Sequence, residues 1–302
     1  LVAHEANAWE MKFANAQKSK MVHPGIDDLA NFVIVAAPPT SYTDKVNLES
    51  YFGQINYDYL NKYFLTVSAR RDGTSRFIGA NQWDNFGSVG LSWVVTEEPF
   101  MKSLNFLSFL KYKISYGITG EQAGVGLYPG YNTYDISNLN GGISISARDI
   151  GNPDLTWEKS KMFQTGIEFG LGKYLEGSLD YYMKNTDNLL FNRRVGPSVG
   201  YAMITVNDGV LRNSGLEFNL TAHILKGRDY GLDITLNGDK LWNKLITMPI
   251  DPATGQPKLL DVQSPYGIAK GHSIFDFYIR DWAGVDPADG TASGRKAATS
   301  GI

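Results

Sequence analysis

The 302-residue sequence contains no cysteine, which removes disulfides, thiolate metal sites and thiol nucleophiles together. Its histidines, His4, His23, His223 and His272, are scattered without the spacing of a metal site, so no metal and no cofactor is expected. A basic excess is also lacking: 28 Lys and Arg against 31 Asp and Glu leave a net charge of −3, too little to suggest a nucleic-acid partner. Long apolar runs are absent, which excludes transmembrane helices. That absence does not test a membrane β-barrel, in which only every second strand residue need be apolar.

Aromatics and glycine are abundant, with 17 Tyr, 15 Phe, 6 Trp and 32 Gly, a composition of aromatic-rich strands and the turns between them. Residues 48 to 96 show how they are arranged. Tyr51, Gly53, Ile55, Tyr57 and Tyr59 alternate with Gln54, Asn56 and Asp58; after a break at Asn61-Lys62, Tyr63, Leu65, Val67 and Ala69 alternate with Thr66, Ser68 and Arg70. A third run sets Val89, Leu91 and Trp93 against Ser88, Gly90 and Ser92. Strand side chains alternate with period two, so each run has one apolar and one polar face. Short breaks alternate with long polar ones, the rhythm of a transmembrane antiparallel β-barrel. Tyr57, Tyr59, Tyr63 and Phe64 flank the tight break, where an interfacial aromatic girdle belongs.

The same alternation recurs at 111–119, 163–171, 175–184, 216–220 and 232–236, and HSIFDFYIRDW (272–282) reads as a last strand, giving about nine or ten strands by this spacing. Residues 1–17 read as a strand on weaker alternation, with a helix left open. Pro38-Pro39 should stop any ladder and lie in an external loop, and Glu97–Leu110 suits a helical turn. Glu121–Trp157 and Phe191–Val210 read as long loops, as does 247–269, and such loops are commonly functional. The polar faces carry Asp58, Arg70, Lys111, Lys113, Glu168, Glu176, Asp180, Lys184, Glu217 and Asp233. Lys or Arg at the bilayer midplane facing lipid costs about 2–4 kcal/mol, so this face should look into a wet lumen.

Several segments resemble the SusC/RagA family of TonB-dependent outer-membrane transporters of Bacteroidetes. They are Tyr51-Phe52-Gly53 through Asn56-Tyr57, RRDGTSRF (70–77), TEEPFM (96–101), SYGITGEQ (115–122), GNPDLTWEKS (151–160), GSLDYYMKNTDNLL (177–190), NDGVLRNSGLEF (207–218) and AGVDP (283–287), in the family's order. The resemblance implies the later part of a large plugged barrel of about 22 strands, with residues 1–290 a partial barrel domain, 291–302 a truncated polar tail, and the plug outside the chain. Both ends read as cuts through a larger protein, since an open set of strands would leave unpaired edges in hydrocarbon. It further implies a Gram-negative outer-membrane location in contact with lipid, and import of an oligosaccharide or oligopeptide. The implied partners are a SusD-like surface lipoprotein and the TonB complex, reached through the plug.

Loop aromatics and cations are the candidate ligand contacts: Trp83 and Asn85; Tyr128, Tyr131 and Tyr134; and Arg193-Arg194. GVGLYPG (124–130) has the glycines of a phosphate loop but neither its Lys-Ser/Thr nor a helix to follow. In RRDGTSRF, Gly73 permits a positive-φ turn, and Arg70, Arg71, Asp72 and Arg76 suit a salt-bridge cluster. Asp180 and Glu176 share a strand face, but no nucleophile stands beside a positioned histidine, so no catalytic residue is expected. The rival classes are an outer-membrane barrel enzyme and a soluble carbohydrate-binding β-sandwich or propeller, whose strands also alternate.

Overall fold

The computed structural model describes residues 1–302 except 195–199, 202, 252–253, 264, 280 and 296–302. Its strands are β1 (Val2–Met21), β2 (Phe32–Tyr59), β3 (Tyr63–Thr74), β4 (Trp83–Val94), β5 (Leu107–Glu121), β6 (Thr133–Leu139), β7 (Gly142–Asp149), β8 (Glu158–Leu171) and β9 (Leu175–Asp187). They continue with β10 (Leu190–Arg194), β11 (Met203–Asn207), β12 (Val210–Lys226), β13 (Gly231–Thr247), β14 (Leu260–Gln263), β15 (Tyr266–Ala269), β16 (Asp281–Val285) and β17 (Ala292–Arg295). Nine of these form one sheet, in the order β1-β2-β3-β4-β5-β8-β9-β12-β13, antiparallel throughout. The remaining strands pair off as two-stranded hairpins. The sheet thus holds the expected number of barrel strands, with β1 and β13 at its two ends.

Register sorts the side chains as alternation requires. The pairs Lys113↔Gly166 and Gly166↔Asp180 put Lys111, Lys113, Glu168 and Asp180 on one face. Tyr63↔Trp93, Trp93↔Tyr112 and Tyr112↔Ile167 run along the other. On the charged face Lys113 Nζ lies 2.9 Å from Glu168 and 3.2 Å from Asp180, so its ions neutralise one another. Gly166 makes room for this, because a Cβ there would meet Asp180 Oδ1 at 2.1 Å. The apolar face is bare: Ile55 is 67% exposed, Leu91 52% and Leu236 60%. A soluble sandwich would bury this face under a second sheet. Left open, it is the outward face of a barrel wall.

The turn after β2 is tight because Leu60 and Asn61 both adopt left-handed backbones, φ 56° and 55°, the hairpin geometry that matches strand twist. Asp58 Oδ1 accepts the Asn61 N–H at 3.0 Å. Tyr59, Tyr63 and Trp93 stack in succession on the outward side of this end, whereas Phe64 pairs with Asp58 and Ser92 on the charged face and so stands apart from that aromatic row. Glu98 caps the end by accepting from the Tyr63 hydroxyl at 2.6 Å and Trp93 Nε1 at 3.2 Å. The Tyr63 hydrogen bond is the main cause that holds its carboxyl below the usual carboxylate range. Short 3-10 turns at Val95–Glu97 and Pro99–Met101 supply the expected helical character there.

Four sequence expectations are corrected. β2 runs through Pro38-Pro39: the register steps from Asn15↔Thr40 to Gln17↔Ala37, leaving both prolines in a bulge where no ladder donor is required. Gly73 is not a left-handed turn residue but part of β3; it is glycine because Trp83 packs on it, and a Cβ would meet that ring at 2.7 Å. The long loops contain hairpins, β6–β7, β10–β11 and β14–β15. Finally, HSIFDFYIRDW is not one strand of the large sheet: Phe277 makes an isolated bridge to Tyr266, and of its described residues only the last two, Asp281 and Trp282, are strand, opening β16, which pairs locally with β17.

Candidate functional site: a cleft at the long-connection end

The best-buried cluster among the described residues lies at the end of the sheet that carries the long connections. Phe77, Phe86, Leu155 and Trp157 form it, the last 4% exposed. Trp157 meets Phe77 and Phe86 edge-on, at 5.7 and 5.4 Å between ring centroids, and its Nε1 donates to the Gln82 carbonyl at 3.3 Å. RRDGTSRF and GNPDLTW, far apart in sequence, therefore close on the same knot. A third segment zips onto it: Asn207 Oδ1 accepts the Thr156 N–H and Asn207 Nδ2 donates to the Thr156 carbonyl, both at 2.8 Å. Asn152 Nδ2 donates to the Thr205 carbonyl at 2.9 Å. Beside them, Arg76 Nη1 donates to the Gly126 carbonyl.

This knot presents a cleft of about 570 Å3 whose lining includes Asp44, Tyr128, Tyr131, Arg148, Asp149 and Met203. Its walls are tied by backbone bonds. The Lys45 N–H of β2 donates to the Tyr128 hydroxyl at 2.9 Å, and the Asn152 N–H donates to the Pro129 carbonyl at 3.0 Å. Gly151 permits the approach, since a Cβ there would lie 2.3 Å from the Tyr131 backbone. On the hairpin side Arg148 Nε pairs with Asp149 at 2.9 Å, and Asp135 stands 3.6 Å from the same guanidinium. The Thr133 hydroxyl bond and then Arg148 hold the Asp149 carboxyl below its ordinary range. Two tyrosine rings beside an ionised Arg-Asp pair can stack on flat apolar faces and orient hydroxyl or amide groups.

Of the residues picked from sequence, Tyr128 and Tyr131 line this cleft, 37% and 46% exposed. Tyr134 sits in β6, exposed and paired with Ala147. Arg193 and Arg194 lie in β10 opposite Ile204 and Met203, and β10 packs against the turn Ala123–Val125 that borders the cleft. Arg193 Nε is buried without a hydrogen-bond partner among the described residues. Trp83 and Asn85 go elsewhere: β4 register puts them on the face of Val89 and Leu91, opposite Gly73 and Arg71. There Trp83 stacks near Tyr51 and lies under the Arg71 guanidinium. Sequence reasoning missed Arg148 and Asp149 because Glu121–Trp157 read as one long loop, and Asp44, in β2, was picked out by no motif. Asp180 and Glu176, on one face as expected, are engaged separately, by Lys113 at 3.2 Å and His223 at 3.8 Å.

A two-faced antiparallel wall, knotted at one end and closed by tight turns at the other, is a β-barrel segment. The family model for the TonB dependent receptor-like β-barrel matches residues 15–258, and the chain belongs to that family. It is 36% identical over 207 residues to the TonB-dependent receptor SusC of Bacteroides thetaiotaomicron, a match covering 66% of this chain and 21% of that protein. To the TonB-dependent receptor P3 of Formosa agariphila it is 32% identical over 265 residues, covering 83% of this chain and 26% of the relative. The chain therefore spans about a quarter of the curated relatives it matches. In fold it superposes on a chain of the RagAB peptide transporter with a TM-score of 0.84 at 24% identity, over 94% of this chain and 31% of that one.

Proposed function

We propose that the chain is part of an outer-membrane active transporter that imports oligosaccharides or oligopeptides, energised through TonB and working with a SusD-like surface lipoprotein. The observation that carries this reading is the division of one wall into an exposed apolar face and an ion-paired polar face, in a chain of the TonB-dependent receptor family. An apolar face on one side suits hydrocarbon, and a neutralised polar face suits a wet lumen or the surface of a plug. The long-connection end is then external, where a lipoprotein partner would meet the β6–β7 hairpin and the cleft. Tyr128 and Tyr131 are the proposed ligand-stacking residues, with Arg193 as a neighbouring donor, Arg194 next to it in β10, and Tyr134 at the hairpin rim.

The test is uptake by cells carrying the full-length protein. Y128A/Y131A should leave the receptor in the outer membrane while weakening ligand binding by roughly 2 kcal/mol, about thirtyfold, for the two rings. Unchanged binding in a correctly inserted double variant would remove the cleft from the ligand path. Recovery of the full-length protein from the cytosol without detergent would remove the transporter reading itself.

A further inference from the structure

The cleft at the long-connection end carries an unbalanced charge. Arg148 is the one cation among its described lining residues, and three carboxylates share it: Asp149 at 2.9 Å, Asp135 at 3.6 Å, and Asp44 acting through space. These four groups leave an excess of two negative charges. Other cations close by are engaged elsewhere. Lys45, next to Asp44 in β2, falls on the opposite face of the strand and pairs with Glu10 at 3.0 Å. Arg76 Nη1 donates to the Gly126 carbonyl, and neither Arg76 nor Arg193 lines the cleft.

The carboxylates differ in what they have left to offer. Asp149 is held by Arg148 and by the Thr133 hydroxyl, which donates to it at 2.7 Å. Asp44 lines the cleft half-buried and makes no hydrogen bond or ion pair among the described residues. Its strand neighbours are apolar. In the β1–β2 register Val46, Asp44 and Tyr42 share a face with Trp9, Met11 and Phe13; Val46 is 6% exposed, and Phe13 stacks on Tyr42 at 4.9 Å. Across the cleft stand Tyr131 and Tyr128, the latter with its hydroxyl fixed by the Lys45 N–H.

We infer that Asp44 anchors a protonated amine of the imported ligand, with the ammonium between its carboxylate and the Tyr128 and Tyr131 rings. This rests on the cleft being the ligand site, as proposed above. A carboxylate with apolar neighbours attracts an ammonium more strongly than one in open water, its oxygens accept charge-assisted hydrogen bonds, and tyrosine faces attract cations. A ligand carboxylate or sulfate would meet the excess negative charge instead. Among oligosaccharides and oligopeptides, this charge selects amino sugars with a free amine, or peptides through an N-terminal or lysine amine, over neutral and acidic chains.

The experiment is calorimetric titration of the full-length receptor in detergent at about pH 5.5, where carboxylates are ionised and amines protonated. The probes are a chitosan tetrasaccharide, its fully N-acetylated counterpart, a pentapeptide with a central lysine, and the same peptide with both amines acetylated. An amine-bearing probe should bind about tenfold more tightly than its acetylated twin, the worth of one charge-assisted hydrogen bond. D44N, which keeps the size of the side chain, should erase that preference with unchanged circular dichroism, and D44E should restore part of it. A preference confined to the chitosan pair assigns a glycan amine; one confined to the peptide pair assigns a peptide amine. Free and acetylated probes binding alike, a preference that D44N leaves intact, or failure of every probe to bind overturns amine recognition. If Y128A/Y131A still weakens binding that acetylation does not change, the cleft survives as the ligand site without it. Binding that neither D44N nor Y128A/Y131A weakens removes the cleft itself.

Discussion

Replacing Trp157 by alanine should undo the external knot while leaving the barrel wall in place. The indole is 4% exposed, and a buried Trp removes about 200 Å2 from water, worth roughly 5 kcal/mol at 25 cal/mol per Å2. Partial collapse of the space recovers some of this, so the cost of truncation is about 3–5 kcal/mol. The Gln82 carbonyl, which accepts from Nε1, loses its partner as well. Because Trp157 holds residues 75–82 against 151–157, the loss falls on the opening of that cluster and not on the strand ladders of β3 and β8. The assay is limited proteolysis of the full-length protein in detergent, with the cut sites mapped. Cleavage within 121–157 should quicken at least about a hundredfold if it tracks the opening equilibrium. W157F, which keeps an aromatic ring and loses only the hydrogen bond, should cost about 1 kcal/mol. Proteolysis of W157A at the wild-type rate, in protein that binds ligand normally, would refute the claim that this ring organises the mouth.

Gly166→Ala should destabilise by about 1–3 kcal/mol, since its methyl would meet Asp180 Oδ1 and the Leu179 carbonyl; urea-unfolding midpoints in detergent measure it. Lys113→Met should lower stability by about 1–3 kcal/mol in the same assay by leaving Glu168 and Asp180 without their shared cation, less than the loss of a fully buried partner because the side chains are partly exposed. K113M/D180N should recover part of it. Glu98, held below the usual carboxylate range chiefly by the Tyr63 hydroxyl, contributes stability that is present above the ordinary glutamate range and lost as pH falls through the depressed folded value. A carboxyl titration by NMR should place the Glu98 midpoint below that of an ordinary glutamate, and Y63F should raise it; a midpoint unmoved by Y63F would contradict the assignment.

The wall was legible because one physical constraint, polar to one side and apolar to the other, writes itself every second residue. In the runs 51–59, 63–70 and 88–93 the alternating residues lie on the faces that alternation assigns them. The mouth was less legible because its order comes from contacts between distant segments: nothing near Trp157 announces Phe77 and Phe86. Even so, one local signal went unused. Asn140 and Gly141 adopt φ 52° and 86°, and Asn-Gly between alternating residues is the strongest short-range hairpin signal; reading it would have exposed β6–β7 and set Arg148 and Asp149 beside Thr133. The opposite error, at HSIFDFYIRDW, came from taking aromatic content for strand pairing when the partner lay elsewhere. Trp83 shows a third limit: its aromatic character suggested ligand contact, whereas its parity in β4 turns it outward.

The central claim is that the apolar face meets lipid and the charged face does not. These residues contain no cysteine, so single cysteines at Leu65, Thr66, Ile114, Ser115, Leu236 and Asn237 can each carry a nitroxide in full-length receptor reconstituted in bilayers. Collision with oxygen, which concentrates in hydrocarbon, should be high at positions 65, 114 and 236 and low at their neighbours. Equal accessibility within each pair, or the reverse order, would contradict the barrel wall and the function built on it.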